Sequence, residues 1–259
     1  MSPLSDDISA CAELVQKSDP DRFLAVMSIA PEQRAPLFVL YAFNLEIARA
    51  AWASQEPMVG QMRLQFWRDV VESAAGDAAA RAHDVARPLT QLIREKKLDT
   101  EALDQMITAR WWDLNKDGFD SEDAFQQHLQ ATYGNLLWLT AQALGAGVDT
   151  KELLINLGAA YGLASWFQAV PELEKHNRQP LYDGRPTAIV ELAQTALTDL
   201  KTAKPPRAPW VMALRTAWQA EPLLKLAGKE PKRVADGTLA LSEFHKKSRL
   251  FLKTMTGRA

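Results

Sequence analysis

Cysteine is almost absent from this sequence. Cys11 is the only cysteine among 259 residues, so an internal disulfide is excluded and a reducing compartment is indicated. None of the four histidines lies at metal-ligand spacing from another histidine or from Cys11, which argues against a structural zinc site. We expect Cys11 to be a small residue on the surface of a helix.

A large excess of either charge is also lacking. The chain has 30 basic and 32 acidic residues and a pI near 6.1, whereas nucleic-acid-binding proteins usually present a basic surface. No nucleic-acid partner is therefore predicted. The N-terminus has acids and no apolar core, so no targeting segment is expected, and no stretch approaches the roughly 18 apolar residues of a membrane span. These features predict a cytoplasmic protein whose contact with the inner membrane is at most peripheral.

Glycine-rich phosphate-binding patterns, the serine-nucleophile pattern GxSxG and β alternation are all missing. Apolar residues recur at helical spacing instead, which predicts an all-α protein. We predict one domain over residues 1–259, with an N-terminal helix in residues 1–18 and a polar connection over residues 172–186. A long helix that begins near Leu153 is expected to end at Pro171, because proline disrupts helix interiors.

Residues 31–69 contain the most informative pattern. Two helices are predicted, with a break before Pro57, and Met58 and Met62 are assigned to the apolar face of the second. Polar residues interrupt both apolar patterns and are expected to point between the helices if the two pair. These polar residues are Asn44, Glu46, Arg49, Arg63, Gln65 and Arg68.

Three motifs in this region resemble the start of the squalene/phytoene synthase family. They are Leu-Tyr-Ala-Phe at 40–43, Glu-Pro-Met at 56–58 and Arg-Leu-Gln-Phe-Trp-Arg at 63–68. The resemblance implies an isoprenoid-synthase-like helical bundle around a central cavity. Enzymes of this family join two prenyl diphosphates head to head, and two Asp-rich motifs hold their Mg²⁺ and diphosphate. In each motif two Asp stand four residues apart, so that both carboxylates share one helical face.

The Asp positions are substituted in this sequence. In an ungapped register, Leu45 and Arg49 occupy the two positions of the first motif. The frame of the second motif spans residues 161–182 and places Ala169 and Leu173 at its Asp positions. Leu cannot ligate Mg²⁺, and Arg brings a fixed positive charge. No metal site and no cofactor is therefore predicted, and Pro171 is expected to break the helix.

The resemblance also implies a set of residues that line the cavity or bind a ligand. These candidates are Tyr41, Asn44, Glu46, Arg49, Arg63, Gln65, Tyr133, Gln168 and Glu172.

Two functions follow from this resemblance. The run Leu-Leu-Trp-Leu-Thr at 136–140 resembles a non-catalytic branch of the family that includes an assembly factor for respiratory complex I. This branch implies a pseudoenzyme, bacterial in setting, whose partner is a prenyl lipid or a subunit of a respiratory complex. The alternative is an active head-to-head prenyltransferase acting on farnesyl or geranylgeranyl diphosphate. In that case Mg²⁺ would be the cofactor, with Glu46 and Glu172 as residual ligands.

Two further patterns have competing interpretations. Asp113 and Asp117 have the spacing of an Mg²⁺ pair, but a solvated loop is the favoured interpretation. A basic amphipathic helix near the C-terminus combines Lys246, Lys247 and Arg249 with the apolar residues 250–252. Such a helix could lie on anionic lipid. The favoured interpretation is an apolar stripe that covers the core, with the basic residues in solvent.

Overall fold

A computed structural model of the chain describes residues 3–54, 56–76, 78–115 and 117–257, and none of these residues forms a β-strand. The prediction of an all-α protein is confirmed. The α-helices are α1 (Pro3–Ser18), α2 (Pro20–Met27), α3 (Arg34–Ala50), α4 (Pro57–Ala74), α5 (Ala86–Lys96), α6 (Thr100–Ala109), α7 (Glu122–Leu129), α8 (Asn135–Ala143), α9 (Lys151–Lys175), α10 (Pro186–Thr202), α11 (Ala220–Lys229), α12 (Lys232–Ala235) and α13 (Glu243–Met255). Short 3₁₀ segments are Pro31–Gln33, Arg110–Leu114, Val148–Thr150 and Pro209–Ala217.

Several helices begin where local chemistry predicts. The Asp99 carboxylate accepts a hydrogen bond from the Ala102 backbone N–H at 3.0 Å, and Ser121 Oγ accepts one from Ala124 at 3.1 Å. Each bond satisfies a donor of the first turn that has no partner within the helix. Pro57 occupies the first position of α4, where its missing N–H costs nothing.

The buried residues form two clusters, and α9 contributes to both. Leu154 and Leu157 belong to the first cluster, which is built mainly from α1, α3–α6 and α8. Leu163 and Phe167 belong to the second, which is built mainly from α7, α9, α10 and α11. The expectation that no stretch approaches a membrane span is wrong, because Val148–Lys175 is long and apolar enough by length and composition alone. However, 61% of its apolar window is buried within the protein. A helix between two clusters needs this apolar composition for its own packing.

The prediction that the long helix ends at Pro171 is wrong, because α9 continues to Lys175. Pro171 cannot donate to the carbonyl one turn earlier, which costs roughly 3 kcal/mol in a helix interior. Val170 and Leu173, on either side, are both buried in the second cluster. Burying a side chain of this kind stabilises by about 1.5–3 kcal/mol, so the two together offset the cost. The connection to α10 therefore begins at His176.

Two expectations about single side chains are also wrong. Cys11 is fully buried in the first cluster, and burial raises the pKa of its thiol to about 12. Met58 and Met62 are 68% and 66% exposed, because α4 instead buries the side that carries Leu64 and Trp67.

Helices α7 and α8 form one continuous but irregular helical stretch. A π turn, Gln130–Gly134, separates α7 from α8. Gly134 and Gly158 allow α9 to approach this turn closely. A Cβ built on Gly158 would lie 2.6 Å from the Tyr133 carbonyl oxygen and 2.7 Å from Gly134 Cα. The position of the π turn therefore depends on glycine at 158.

Candidate functional site

A cavity of about 410 Å³ lies between α3, the π turn, α9 and the segment that joins the 3₁₀ helix Pro209–Ala217 to α11. Ser165 and Gln168 of α9 line this cavity and are also exposed, so it opens to the outside beside α9. The lining residues are Asp19, Asp21, Arg22, Tyr41, Asn44, Leu45, Ala48, Arg110, Tyr133, Leu136, Leu137, Gly158, Tyr161, Gly162, Ala164, Ser165, Gln168, Thr216, Ala217, Trp218, Gln219, Ala220 and Leu223.

Three tyrosines, Tyr41, Tyr133 and Tyr161, line the cavity. Tyr41 donates a hydrogen bond from its hydroxyl to Thr216 Oγ1 at 2.9 Å. Burial raises the pKa of Tyr41 and of Tyr133, and it raises the pKa of Tyr161 to about 12 with a contribution from Glu221. All three phenols are therefore neutral at pH 7. They can donate and accept hydrogen bonds, but they cannot act as general bases.

Tyr133 reaches the cavity because the π turn and α9 both accommodate it. Its ring lies against Gly162, where an added Cβ would overlap the ring. Its backbone carbonyl lies against Gly158, one turn earlier on α9. π turns often occur at functional sites, and this one places the half-buried Tyr133 in the cavity wall. The sequence contained two signals of this packing that went unrecognised, the pair Gly158 and Gly162 and the flanking Gly134.

Charged groups at the cavity are already paired. Asp19 caps α2 by accepting from the Arg22 N–H at 3.0 Å, and the two side chains form an ion pair at 3.3 Å. Asp21 accepts from Gln219 Nε2 at 2.8 Å and from Lys246 Nζ at 3.0 Å. The Arg22 guanidinium lies 4.8 Å from the centre of the Tyr41 ring. The carboxylates of Asp19 and Asp21 are thus neutralised by neighbouring cations.

This set of donors does not fit the Mg²⁺ cluster of the prenyl-joining enzymes. The family resemblance implies a cluster held by carboxylates on two different helices, whereas Asp19 and Asp21 both lie at the start of α2. On α3 the cavity face presents Tyr41, Asn44, Leu45 and Ala48. Within the described ranges, no group of three or more His, Cys, Asp or Glu side chains is arranged to hold a metal ion.

A second charged group lies behind the cavity wall. Asp113 is 4% exposed and forms an ion pair with Arg110 at 3.4 Å. Arg178 donates to the Asp113 backbone carbonyl at 2.6 Å. Burial raises the pKa of Asp113, while Arg110 and Arg178 oppose that rise. The expectation that Asp113 lies in a solvated loop is wrong, because the 3₁₀ turn Arg110–Leu114 carries it inward.

Four of the nine candidates from the sequence line the cavity: Tyr41, Asn44, Tyr133 and Gln168. The first two lie three residues apart on one face of α3. Tyr133 lies in the π turn, and Gln168 lies on α9 opposite α3. The structure therefore brings together residues that are 127 positions apart in the chain.

The other five candidates do not line the cavity. Glu46 is half-buried on another side of α3, and Arg63 is exposed on α4. Arg49 is exposed and donates to Ser18 Oγ. Gln65 is exposed and donates to Asp69 at 2.7 Å. Glu172 is exposed and pairs with Lys175 and His176 at 3.0 and 3.3 Å.

Of the four positions aligned with the family's Asp residues, one lines the cavity and three do not. Leu45 lines the cavity, but Arg49 points away from it, so the cavity face continues from Leu45 to Ala48. Ala169 is half-buried and Leu173 is buried, and both belong to the second hydrophobic cluster. Arg22 and Arg110 are the two basic lining residues, and the sequence reasoning missed both. In the sequence, the only local indication of these two residues was that each lies near other charged residues at the end or start of a helix.

His128 is a buried titratable residue in the wall beside the cavity. It is buried against Trp112, Phe119 and Trp166, and its Nε2 has no hydrogen-bond partner in the described part of the chain. Burial, with a smaller effect from Arg110, lowers the pKa of His128 to about 3.

We expect the free energy of unfolding to fall by about 1 kcal/mol between pH 7 and pH 5.5 because of His128. In the unfolded chain this histidine takes up a proton near pH 6.5, whereas in the folded chain it stays neutral until about pH 3. The contribution of His128 to the free energy of unfolding is therefore fully present above pH 6.5 and is lost as the pH falls toward 3. Urea denaturation at both pH values measures the loss. His128→Phe should remove it, and His245→Gln, at an exposed site, should not. Equal pH dependence in all three proteins would contradict this assignment.

Comparison with known proteins agrees with the architecture. The described chain is similar in structure to a dehydrosqualene synthase, with a TM-score of 0.78 and 14% identity over 98% of this chain and 97% of that one. It is also similar to squalene synthase HpnC from Alicyclobacillus acidocaldarius, with a TM-score of 0.63 and 15% identity over 98% and 95% of the two chains. At these identities the likeness shows the fold, and the predicted isoprenoid-synthase-like bundle is confirmed.

Sequence comparison gives more specific relatives. The NADH dehydrogenase (ubiquinone) complex I assembly factor 6 homolog of Drosophila melanogaster is 28% identical over 167 residues, 62% of this chain and 50% of that protein. Human complex I assembly factor 6 is 27% identical over 162 residues, 62% of this chain and 48% of that protein. The chain thus spans about half the length of these relatives. A family model described as squalene/phytoene synthase matches residues 15–242, and the chain therefore belongs to the squalene/phytoene synthase family.

Proposed function

We propose that this chain is a non-catalytic member of its family that acts in the assembly of respiratory complex I. The observation that carries the proposal is the donor set of the cavity. Its two carboxylates both lie at one end of α2, where each meets a cation. The relatives named as complex I assembly factor 6 support the same function.

Electrostatics favour binding over catalysis. Head-to-head coupling begins with the departure of an allylic diphosphate, whose negative charge must be stabilised. Loss of a single preorganised contact to such a charge commonly costs roughly 2.7–4 kcal/mol, or about 10²–10³ in rate. The cavity faces of α3 and α9 together present no carboxylate among the described lining residues. Without several such contacts the coupling rate would fall below detection.

The cavity remains suited to a ligand that is apolar along its length and polar at one end. Leu45, Leu136 and Leu137 provide apolar wall, and Tyr41 and Asn44 provide hydrogen-bonding groups. A prenyl lipid such as a quinone has this chemistry. Native mass spectrometry of the protein purified from its own host would identify a retained lipid by its mass.

The catalytic alternative has a direct test. We expect no product above a protein-free blank when the purified chain is incubated with Mg²⁺ and radiolabelled farnesyl or geranylgeranyl diphosphate. A dehydrosqualene synthase in the same buffer is the positive control. Formation of a head-to-head product would show an active prenyltransferase and would reject the non-catalytic assignment.

The assembly function needs a separate test in the host. Deletion of the gene should reduce fully assembled complex I on native gels, together with NADH:quinone activity in membranes. The wild-type gene should restore both. Leu45→Trp, which fills the cavity, should restore neither, whereas Leu24→Trp, at a side chain that is 44% exposed on α2, should restore both. Normal complex I in the deletion strain would contradict the assembly function.

A further inference from the structure

Helix α13 presents its apolar side chains to solvent. Phe244, Phe251, Leu252 and Met255 are 83%, 62%, 61% and 70% exposed. Steps of seven, eight and eleven residues return to similar directions around a helix, so these four side chains form one stripe. None of the thirteen residues of α13, all within the described ranges, is buried. The interpretation that this stripe covers the core is therefore wrong.

The polar side of α13 holds the helix to the rest of the protein. Lys246 Nζ lies 3.0 Å from Asp21 Oδ2, and Arg249 Nη2 lies 2.8 Å from Glu221 Oε2. Arg249 Nε also donates to the Trp218 carbonyl at 3.0 Å. These ion pairs fix the rotation of α13, because they require its basic side to face inward. The apolar stripe consequently faces outward.

Helix α13 also lies at the rim of the cavity. Asp21 and Trp218, which it contacts, both line the cavity. A third lining residue, Gln168, donates to the Leu239 carbonyl at 3.0 Å, four residues before α13 begins. Three contacts thus attach residues 239–249 to three separate parts of the cavity wall. Any surface that binds the stripe would lie next to the cavity.

We propose that α13 docks the protein onto a bilayer that contains anionic lipid. Two of the four basic residues of α13, Lys246 and Arg249, pair with Asp21 and Glu221, so the charge that α13 offers to a lipid surface comes from the basic residues outside these pairs. Lys247 is exposed beside the stripe. Helices with aromatic and aliphatic side chains on one face and basic residues on the other lie in the interface between headgroups and acyl chains.

A second copy of the chain is a poorer occupant of this surface. A helix of thirteen residues is about 20 Å long and about 10 Å wide. A stable protein interface buries roughly 800 Å² of accessible surface on each partner, which the outer face of one helix of this length does not supply by itself. A bilayer has no such requirement, because several apolar side chains and a few basic residues are enough for reversible binding.

Vesicle co-sedimentation of the full chain tests the proposal. We expect binding to vesicles of phosphatidylcholine mixed with phosphatidylglycerol, weaker binding in high salt, and little binding to phosphatidylcholine alone. Phe251→Glu should weaken binding by about tenfold or more, and Lys247→Gln by about fivefold. Val148→Glu is the matched control, because Val148 is a 79% exposed apolar residue outside α13, and its binding should equal that of the wild type.

Three results would overturn the proposal. The first is no binding to the anionic vesicles. The second is equal binding by Phe251→Glu and Val148→Glu. The third is a dimer, detected by light scattering, that Phe251→Glu dissociates, since the stripe would then be a contact between two copies. Phe251 and Val148 are both exposed, so the melting temperatures of Phe251→Glu and Val148→Glu should match that of the wild type. Matching values exclude unfolding as the cause of weaker vesicle binding.

Discussion

Replacing Gly158 with alanine should lower the free energy of unfolding by about 3 kcal/mol. The new Cβ would lie 2.6 Å from the Tyr133 carbonyl oxygen and 2.7 Å from Gly134 Cα. Both are main-chain atoms, so no side-chain rotation can relieve the overlap, and α9 must move away from the π turn. Urea denaturation of the wild type and the variant, followed by circular dichroism, measures the loss.

The control for this prediction is Gly228→Ala in α11. A Cβ at Gly228 would lie 3.8 Å from the Ala193 Cβ, which is an ordinary contact. Alanine exceeds glycine in helix propensity by about 1 kcal/mol, so this variant should be slightly more stable than the wild type. A similar loss in both variants would show that the close approach at Gly158 is not the cause.

Replacing Arg110 with methionine should destabilise the fold by about 3–5 kcal/mol. The substitution removes the partner of a carboxylate that is almost fully buried, because Asp113 is 4% exposed. Arg178 would remain, but the hydrogen bond it donates goes to the Asp113 backbone carbonyl. Chemical denaturation at pH 7 measures the effect.

A double substitution separates the lost charge from the lost packing. Asp113→Asn removes the buried charge and keeps a side chain of similar size. If the unpaired carboxylate causes the loss, Arg110→Met combined with Asp113→Asn should be more stable than Arg110→Met alone. If the double variant loses the sum of the two single losses, the two residues do not interact and the explanation fails.

Much of the fold could be predicted from the sequence because the relevant interactions are local. A cap such as Asp99 or Ser121 acts within three residues, and Pro57 acts at its own position. The starts of α4, α6 and α7 agree with these local features. The cavity face of α3 also follows from local geometry, because residues 41, 44, 45 and 48 share one side of a helix.

The remaining features depend on contacts between distant segments. Pro171 stays within a helix because its neighbours are buried against α10, α11 and α12. Cys11 is buried because α1 packs on α3 and α5. The stripe on α13 is exposed because Asp21 and Glu221, far away in sequence, hold the opposite side. A pattern of apolar residues predicts a face, but it does not say whether anything covers that face.

The lining of the cavity also includes residues that the sequence could identify and residues that only the folded structure reveals. The resemblance to a known family directed attention to Tyr41, Asn44, Tyr133 and Gln168. Arg22 and Arg110 belong to the site only because the start of α2 and the end of α6 fold against it.

The π turn between α7 and α8 has a consequence for how related chains are compared. A π turn accommodates one residue more than an ordinary turn, so the surplus is absorbed within Gln130–Gly134. A homologue that is one residue shorter here could follow the same path as an unbroken helix, with both flanking segments in register. An alignment that permits no gap at this point would shift every position on one side of it by one.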